Sequence, residues 1–277
     1  MKTLLIPVDF SDVTENVLKY AADFSCDTHI ERIILLKSFY VSIYAQLLPS
    51  ADFVQLSAED IDVEREKVIA DLKILSHELL SKCNPTVKIK TAISELPIAR
   101  ATHELIAEEK PYMVMIGSNP DLDDSYIDDQ IIAFSKTSPI PVFIVPAGVT
   151  YKKIEKALVP CDFSAISRLE ALKSFRDPSK WLHPELIVLN VDPKQKHKKG
   201  DTPPVPGLIE LLEGYDYQVY YSEDKDTVHG ILDFAEHHRT QLIIALPGKY
   251  SFFYNLTHRS ITNALALNTS KPVLILK

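Results

Sequence analysis

The chain has 277 residues, 46% of them apolar and 25% charged, with a formal net charge of −8. That length exceeds the roughly 100 to 150 residues of a typical single domain, and no apolar run approaches the roughly 18 residues of a membrane span, so the composition points to two globular domains and excludes disorder and membrane insertion. Its seven glycines are nowhere close enough for G-x-G-x-x-G or a P-loop, which excludes both of those backbone cradles for phosphate.

The opening MKTLLIPVDFSD reads as a strand. Asp9 interrupts the apolar run and no small-residue cleavage site follows, so no secretory signal is expected and the expected location is cytoplasmic. Cys26, Cys83 and Cys161 form no C-x-x-C pair and leave an odd thiol, which fits a reducing compartment and argues against a disulfide framework or a cysteine zinc site. Helical periodicity follows in TENVLKYAADFS, then the strand IILLKS, an amphipathic helix at about 57–83, the strand VKIKTA, the helix PIARATHELIAEE, the strand MVMIG, a polar loop with DQIIAFSKT, and the strand PVFIV. Strands apolar on both faces and separated by helices predict a parallel sheet, and right-handed crossovers make it doubly wound.

The pattern then repeats. LLIPVDFS at 4–11 matches ALVPCDFS at 157–164, and RIILLKS at 32–38 answers ELIVLNV at 185–191, both at an offset of 153. PIPVFIV at 139–145 answers SKPVLIL at 270–276 at an offset of 131, so the second copy is 22 residues shorter, with the deficit after its second strand and a short helix near 206–213. The expected domains are 1–150 and 151–277. Residues 1–150 carry 13 Lys and Arg against 23 Asp and Glu, and residues 151–277 carry 17 against 15. The one dense basic run, Lys194, Lys196, Lys198 and Lys199 beside Gly200, reads as a solvated loop, so no nucleic-acid partner is expected. In doubly wound sheets a ligand lies beyond the carboxyl ends of the strands at the switch point, here after strands 1 and 4 of each copy.

IPVDFSD, the strand-loop-helix after MVMIG, and the closing S-x-x-PV strand resemble the universal stress protein family, and the duplication resembles its tandem members. The resemblance implies an adenine-nucleotide alpha-hydrolase-like sheet of order 3-2-1-4-5 in each copy. It also implies that the two fifth strands pair antiparallel about a pseudo-two-fold axis, making the chain an intramolecular pseudo-dimer. Many members bind ATP through Gly, two residues, Gly, nine residues, then Gly with Ser or Thr. Gly117 and Ser118 begin that pattern here, but Pro120 holds the second glycine position, and neither Gln130-Ile131 nor Asp128-Asp129 supplies its end. In the second copy Leu246 and Arg259 replace the first and third glycines, while Ser260 survives. Asp9 and Asp162 match the family's aspartate near the adenine, although D-F-S before a helix is also a capping pattern.

The loop with Asp121, Asp123, Asp124, Asp128 and Asp129 is expected to repel a triphosphate. Lys249, His258, Arg259 and Ser260 offer either an anion cradle or a solvated helix start, so any anionic ligand is expected to prefer the second copy. His229, Asp233 and His237, four residues apart, have the spacing of a two-His-one-carboxylate metal site or of an exposed helix face; no metal site is expected. No motif nominates a nucleophile with its base, so no catalytic residue is assigned. The expected function is a non-catalytic stress-response or interaction module with a degenerate nucleotide site and an unnamed protein or small-molecule partner, the tandem chain itself as a homo-oligomer among them. The alternative is an AMP or ATP sensor working through the second copy. Phe10 and Phe163 are expected as equivalent core positions, and residues 142–146 are expected to pair with 273–276.

Overall fold

A computed structural model describes residues 2–40, 58–119, 133–175, 182–191, 207–246 and 269–277. The first half contains β1 (Thr3–Val8), α1 (Asp12–Asp27), β2 (Arg32–Ser38), α2 (Ala58–Lys82), β3 (Lys88–Ser94), α3 (Ile98–Glu109), β4 (Met113–Ser118) and β5 (Val142–Pro146). The second contains β6 (Lys156–Pro160), a 3-10 helix over Phe163–Phe175, β7 (Glu185–Val191), α4 (Leu208–Leu211), β8 (Tyr217–Ser222), α5 (Thr227–His237), β9 (Leu242–Ala245) and β10 (Val273–Ile275).

These strands join one ten-stranded sheet of order β3-β2-β1-β4-β5-β10-β9-β6-β7-β8. Each half has the order 3-2-1-4-5, and every pairing within a half is parallel. The halves meet where β5 and β10 run antiparallel, with Val273 opposite Ile144, Leu274 opposite Phe143 and Ile275 opposite Val142. The expected central pairing is therefore present. It removes two apolar edges that would otherwise template association.

The period-two alternation of side chains explains the layers. Leu4, Ile6, Ile33, Leu35, Met113, Met115 and Phe143 pack on one face with α1 and α2, and Leu186, Val188 and Leu274 continue that face into the second half. Leu5, Ile34, Val114, Ile144, Leu158, Ile187, Ile243 and Val273 face the other side, with residues of α3 and α5. Helix α1 buries Val17, Leu18, Tyr20, Ala21 and Phe24, the spacing of an amphipathic helix. Tyr151 in the connection between the halves stacks edge-on against Tyr20 at 5.2 Å, and its hydroxyl donates to Asp27 Oδ2 at 2.8 Å. The connection is thus fastened to α1.

The two halves differ in the segment after their first strands. In the first half Ser11 caps α1 by accepting from the Thr14 N–H at 3.3 Å, and Asp12 and Glu15 lie in the first turn, where they complement the helix dipole. The equivalent segment of the second half has no acidic residue in its first turn and forms a 3-10 helix, longer than the three or four residues such helices usually run. Gly117 supplies a second reason. A Cβ there would stand 2.3 Å from Val13 Cγ1 and 2.9 Å from Val17 Cγ2, so its absence lets α1 close onto β4. At an offset of 129 the second half has Leu246, buried in the core. A leucine there fills space that Gly117 leaves to α1, so the 3-10 helix over Phe163–Phe175 faces a side chain where α1 faces none.

Candidate functional site

The switch point of the first half lies where β1 and β4 end side by side. Asp9 follows β1, and its Oδ1 accepts from the Ser11 N–H at 2.9 Å, the Ser11 hydroxyl at 2.6 Å and the Thr14 hydroxyl at 2.5 Å. Partial burial pushes the Asp9 carboxyl up, but the Ser11 and Thr14 hydroxyls, the Ser11 N–H and the charge of Lys37 outweigh it and hold the group below its ordinary range. Lys37, at the end of β2, is pushed down by burial, with Asp9 opposing the shift. One oxygen of Asp9 is thereby committed to the turn that starts α1, in which Ser11 and not Asp9 is the N-cap.

Phe10 is not the core residue that its matched context suggests. It is 40% exposed, adopts φ 68°, and lies under the Lys37 ammonium, which stands 4.5 Å from the ring centroid. A left-handed backbone at this bend turns the ring away from the sheet and into a cation–π contact with a neighbouring strand. Phe163 differs: it packs half-buried against the core and meets Tyr221 edge-on at 5.3 Å. The two phenylalanines are therefore not equivalent.

Gly117 and Ser118 end β4 beside this turn. Gly117 serves the approach of Val13 and Val17. Ser118 is buried; its carbonyl accepts from the Ala147 N–H at 2.7 Å, while its hydroxyl finds no hydrogen-bond partner among the described residues. In the second half Asp162 follows β6, and at the position matching Lys37 stands Asn190, which donates to the Cys161 carbonyl at 3.1 Å. Burial pushes the Cys161 thiol up to about 12, with Asp162 adding to the shift, so that thiol is inert at neutral pH. Lys249, His258, Arg259 and Ser260, like Pro120 and the acidic loop from Asp121 to Asp129, lie outside the described residues.

The histidine spacing on α5 does not assemble a site. His229 Nδ1 turns to Asp224 Oδ2 at 2.7 Å, whereas His237 Nδ1 meets the Asp233 carbonyl at 2.9 Å and its carboxylate Oδ1 at 3.2 Å. Among the described residues no three His, Cys, Asp or Glu side chains come together to hold a metal ion, and no helix is long and apolar enough to cross a membrane. His103 on α3 has its Nε2 3.2 Å from the Thr137 hydroxyl, and its ring packs on Phe134. Sequence reasoning missed Thr14 and Lys37 as the partners of Asp9. The one local sign was a lysine closing an otherwise apolar strand.

This sheet, with its two switch points and antiparallel midline, matches solved structures. A universal stress protein from Archaeoglobus fulgidus superposes with a TM-score of 0.67 at 18% identity, covering 99% of this chain and 96% of that one. The chain has the universal stress protein fold. At that identity the likeness concerns the fold alone. The cytoplasmic domain of a prokaryotic cation chloride cotransporter shares it with a TM-score of 0.51 at 13% identity, covering 99% of this chain and 95% of that one. No family model matches the sequence, and no curated protein matches it. Within the universal stress protein fold, Asp9, Gly117 and Ser118 occupy the switch point of the first half and Asp162 that of the second.

Proposed function

We propose that this chain is a tandem universal stress protein, with domains at 1–150 and 151–277, that acts as a non-catalytic interaction module in the stress response and whose first-half nucleotide site has been given over to structure. The observation that carries this reading is the double commitment at that switch point. Asp9 Oδ1 takes three donors from the turn that starts α1, and Gly117 is required by the contact with Val13 and Val17. Both features are explained by packing and capping before any ligand is considered. The sequence adds Pro120 where the nucleotide pattern needs a glycine, and proline has no N–H to offer a phosphate. The cotransporter domain supports the interaction role, because there a chain of the same fold is part of a larger protein.

Isothermal titration with ATP and with AMP, each with and without magnesium, tests this reading. The expected result is no saturable binding below about 1 mM, the range in which a weak site still registers. Tight binding abolished by Arg259→Gln would replace it with the second reading, a nucleotide sensor working through Lys249, His258, Arg259 and Ser260. Tight binding abolished by Asp9→Ala would show that the first-half site is intact. Turnover of ATP above a heat-inactivated control would overturn the non-catalytic assignment.

A further inference from the structure

A groove of about 570 Å³ opens at the midline, where the connection between the halves passes the end of α5 and the start of β10. Neither Asp9 nor Asp162 is among the residues that line it. Three cations line it, Lys152, Arg239 and Lys271, against one carboxylate, Glu236. Glu236 is already satisfied: it accepts from the Ser270 hydroxyl at 2.8 Å and pairs with Lys271 at 3.3 Å. The Ser270 hydroxyl and the Lys271 and Lys152 charges together hold its carboxyl below the ordinary range despite some burial. Lys152 and Arg239 make no ion pair with any described carboxylate; Glu236 pairs with Lys271 and feels Lys152 at longer range, so three cations against one carboxylate leave the wall a net charge of two.

Other polar groups of the groove are occupied in shaping it. Gln241 accepts from the Glu155 and Lys156 N–H groups at 3.1 Å and 2.8 Å and donates to the Arg239 carbonyl at 2.6 Å. Arg239 has φ 51°, as Lys110 has φ 48° at the end of α3. That conformation belongs to helix termination in both halves and is not itself a sign of a ligand. Arg239, a planar fork, and Lys152, a point charge, remain outside any ion pair among the described residues and are held by two different segments of the chain.

We propose that this groove binds a small phosphate-bearing molecule, with Arg239 and Lys152 sharing the phosphate dianion. A charge of two on the wall matches a phosphate monoester at neutral pH, and a guanidinium with an ammonium is the donor set that phosphate favours. The volume falls within the roughly 300 to 1,000 Å³ of small-molecule sites, which leaves room for an organic body beside the phosphate along the wall that includes Tyr20. This assignment is independent of the reading of the switch points.

Backbone amide shifts followed by NMR at low ionic strength, during titration of the full chain with inorganic phosphate and with glycerol 3-phosphate, test it. Saturating shifts are expected at Gly148, Thr150, Lys152 and Gln241 with both probes. Lys152→Gln and Arg239→Gln should each weaken binding about tenfold or more. Lys152 lies in an exposed connection, so its variant reads the site even if the Arg239 change disturbs the helix end. Lys67→Gln, on α2, should change nothing. No saturation up to about 10 mM, equal weakening by Lys67→Gln, or loss of binding only in Arg259→Gln would each overturn the groove assignment. Binding of inorganic phosphate but not of the ester would overturn the organic-phosphate claim.

Discussion

Replacing Gly117 by alanine tests whether this glycine is kept for packing. The added methyl would sit 2.3 Å from Val13 Cγ1 and 2.9 Å from Val17 Cγ2, whereas carbon atoms rest at about 3.5 to 4.0 Å. Val13 must therefore withdraw by more than about 1 Å, and α1 is held at the same time by Tyr20 and Phe24, which pack on Phe143 at 5.7 Å and 5.5 Å. Overpacking costs about 1 to 3 kcal/mol, and a contact as short as 2.3 Å belongs to the upper part of that range, about 2 to 3 kcal/mol. Removing a glycine from a strand returns up to about 1 kcal/mol, leaving a net loss of about 1 to 2 kcal/mol. For a chain of this size that lowers the unfolding midpoint by about 2 to 8 °C. Urea unfolding followed by circular dichroism measures it, with Val13→Ala as the partner substitution. The double variant should recover about 1 kcal/mol relative to additivity, because the alanine at 13 removes the clashing methyl. A Gly117→Ala protein as stable as the wild type, or strictly additive effects, would falsify the packing account.

Phe10→Asn should leave stability within about 1 kcal/mol of the wild type, since the ring is exposed and asparagine tolerates the left-handed backbone; a loss above about 3 kcal/mol would put the ring in the core after all. Of the three cysteines, Cys26 alone is exposed, while burial raises the Cys83 thiol and pushes Cys161 to about 12. Ellman's reagent at pH 8 should therefore titrate one thiol in the native protein and three after denaturation, and rapid native reaction of a second thiol is the contrary result. Glu109 pairs with Lys90 and with Arg32, the latter at 2.8 Å; hydrogen bonding from Lys90 leads the causes that hold its carboxyl below the ordinary value, and with Arg32 it outweighs the opposing effect of burial. A depressed carboxyl contributes stability that is present above its unfolded pKa and lost as pH falls through the folded one. The stability gap between wild type and Glu109→Gln should thus be full at neutral pH and close below about pH 4; a gap that persists at acid pH would mean that the ion pairs are not its source.

Much of the architecture is local in origin. Strands apolar on both faces and helices with a single apolar stripe state their layers through period 2 and period 3.6 alone, and they did so here for both halves. The repeat at an offset of 153 made the second half readable from the first, and two uninterrupted apolar strands at the ends of the copies left few stable arrangements other than pairing with each other. What the local pattern could not carry was the meaning of a shared motif. D-F-S appears in both halves, yet Phe10 bends outward over Lys37 while Phe163 packs inward against Tyr221. The difference depends on the neighbouring strands, where Lys37 faces one copy and Asn190 the other. Gly117 looked like the start of a phosphate loop, but its contact with Val13 and Val17 spans about a hundred residues and exists only once α1 has crossed the sheet. The midline groove is more distant still, since it gathers Lys152, Glu236, Arg239 and Lys271 from three separated segments. Sequence determined the layers and the duplication because they follow from short-range periodicity. Only the tertiary structure decided which charges are compensated, because that is a matter of distances between side chains brought together by the closed sheet.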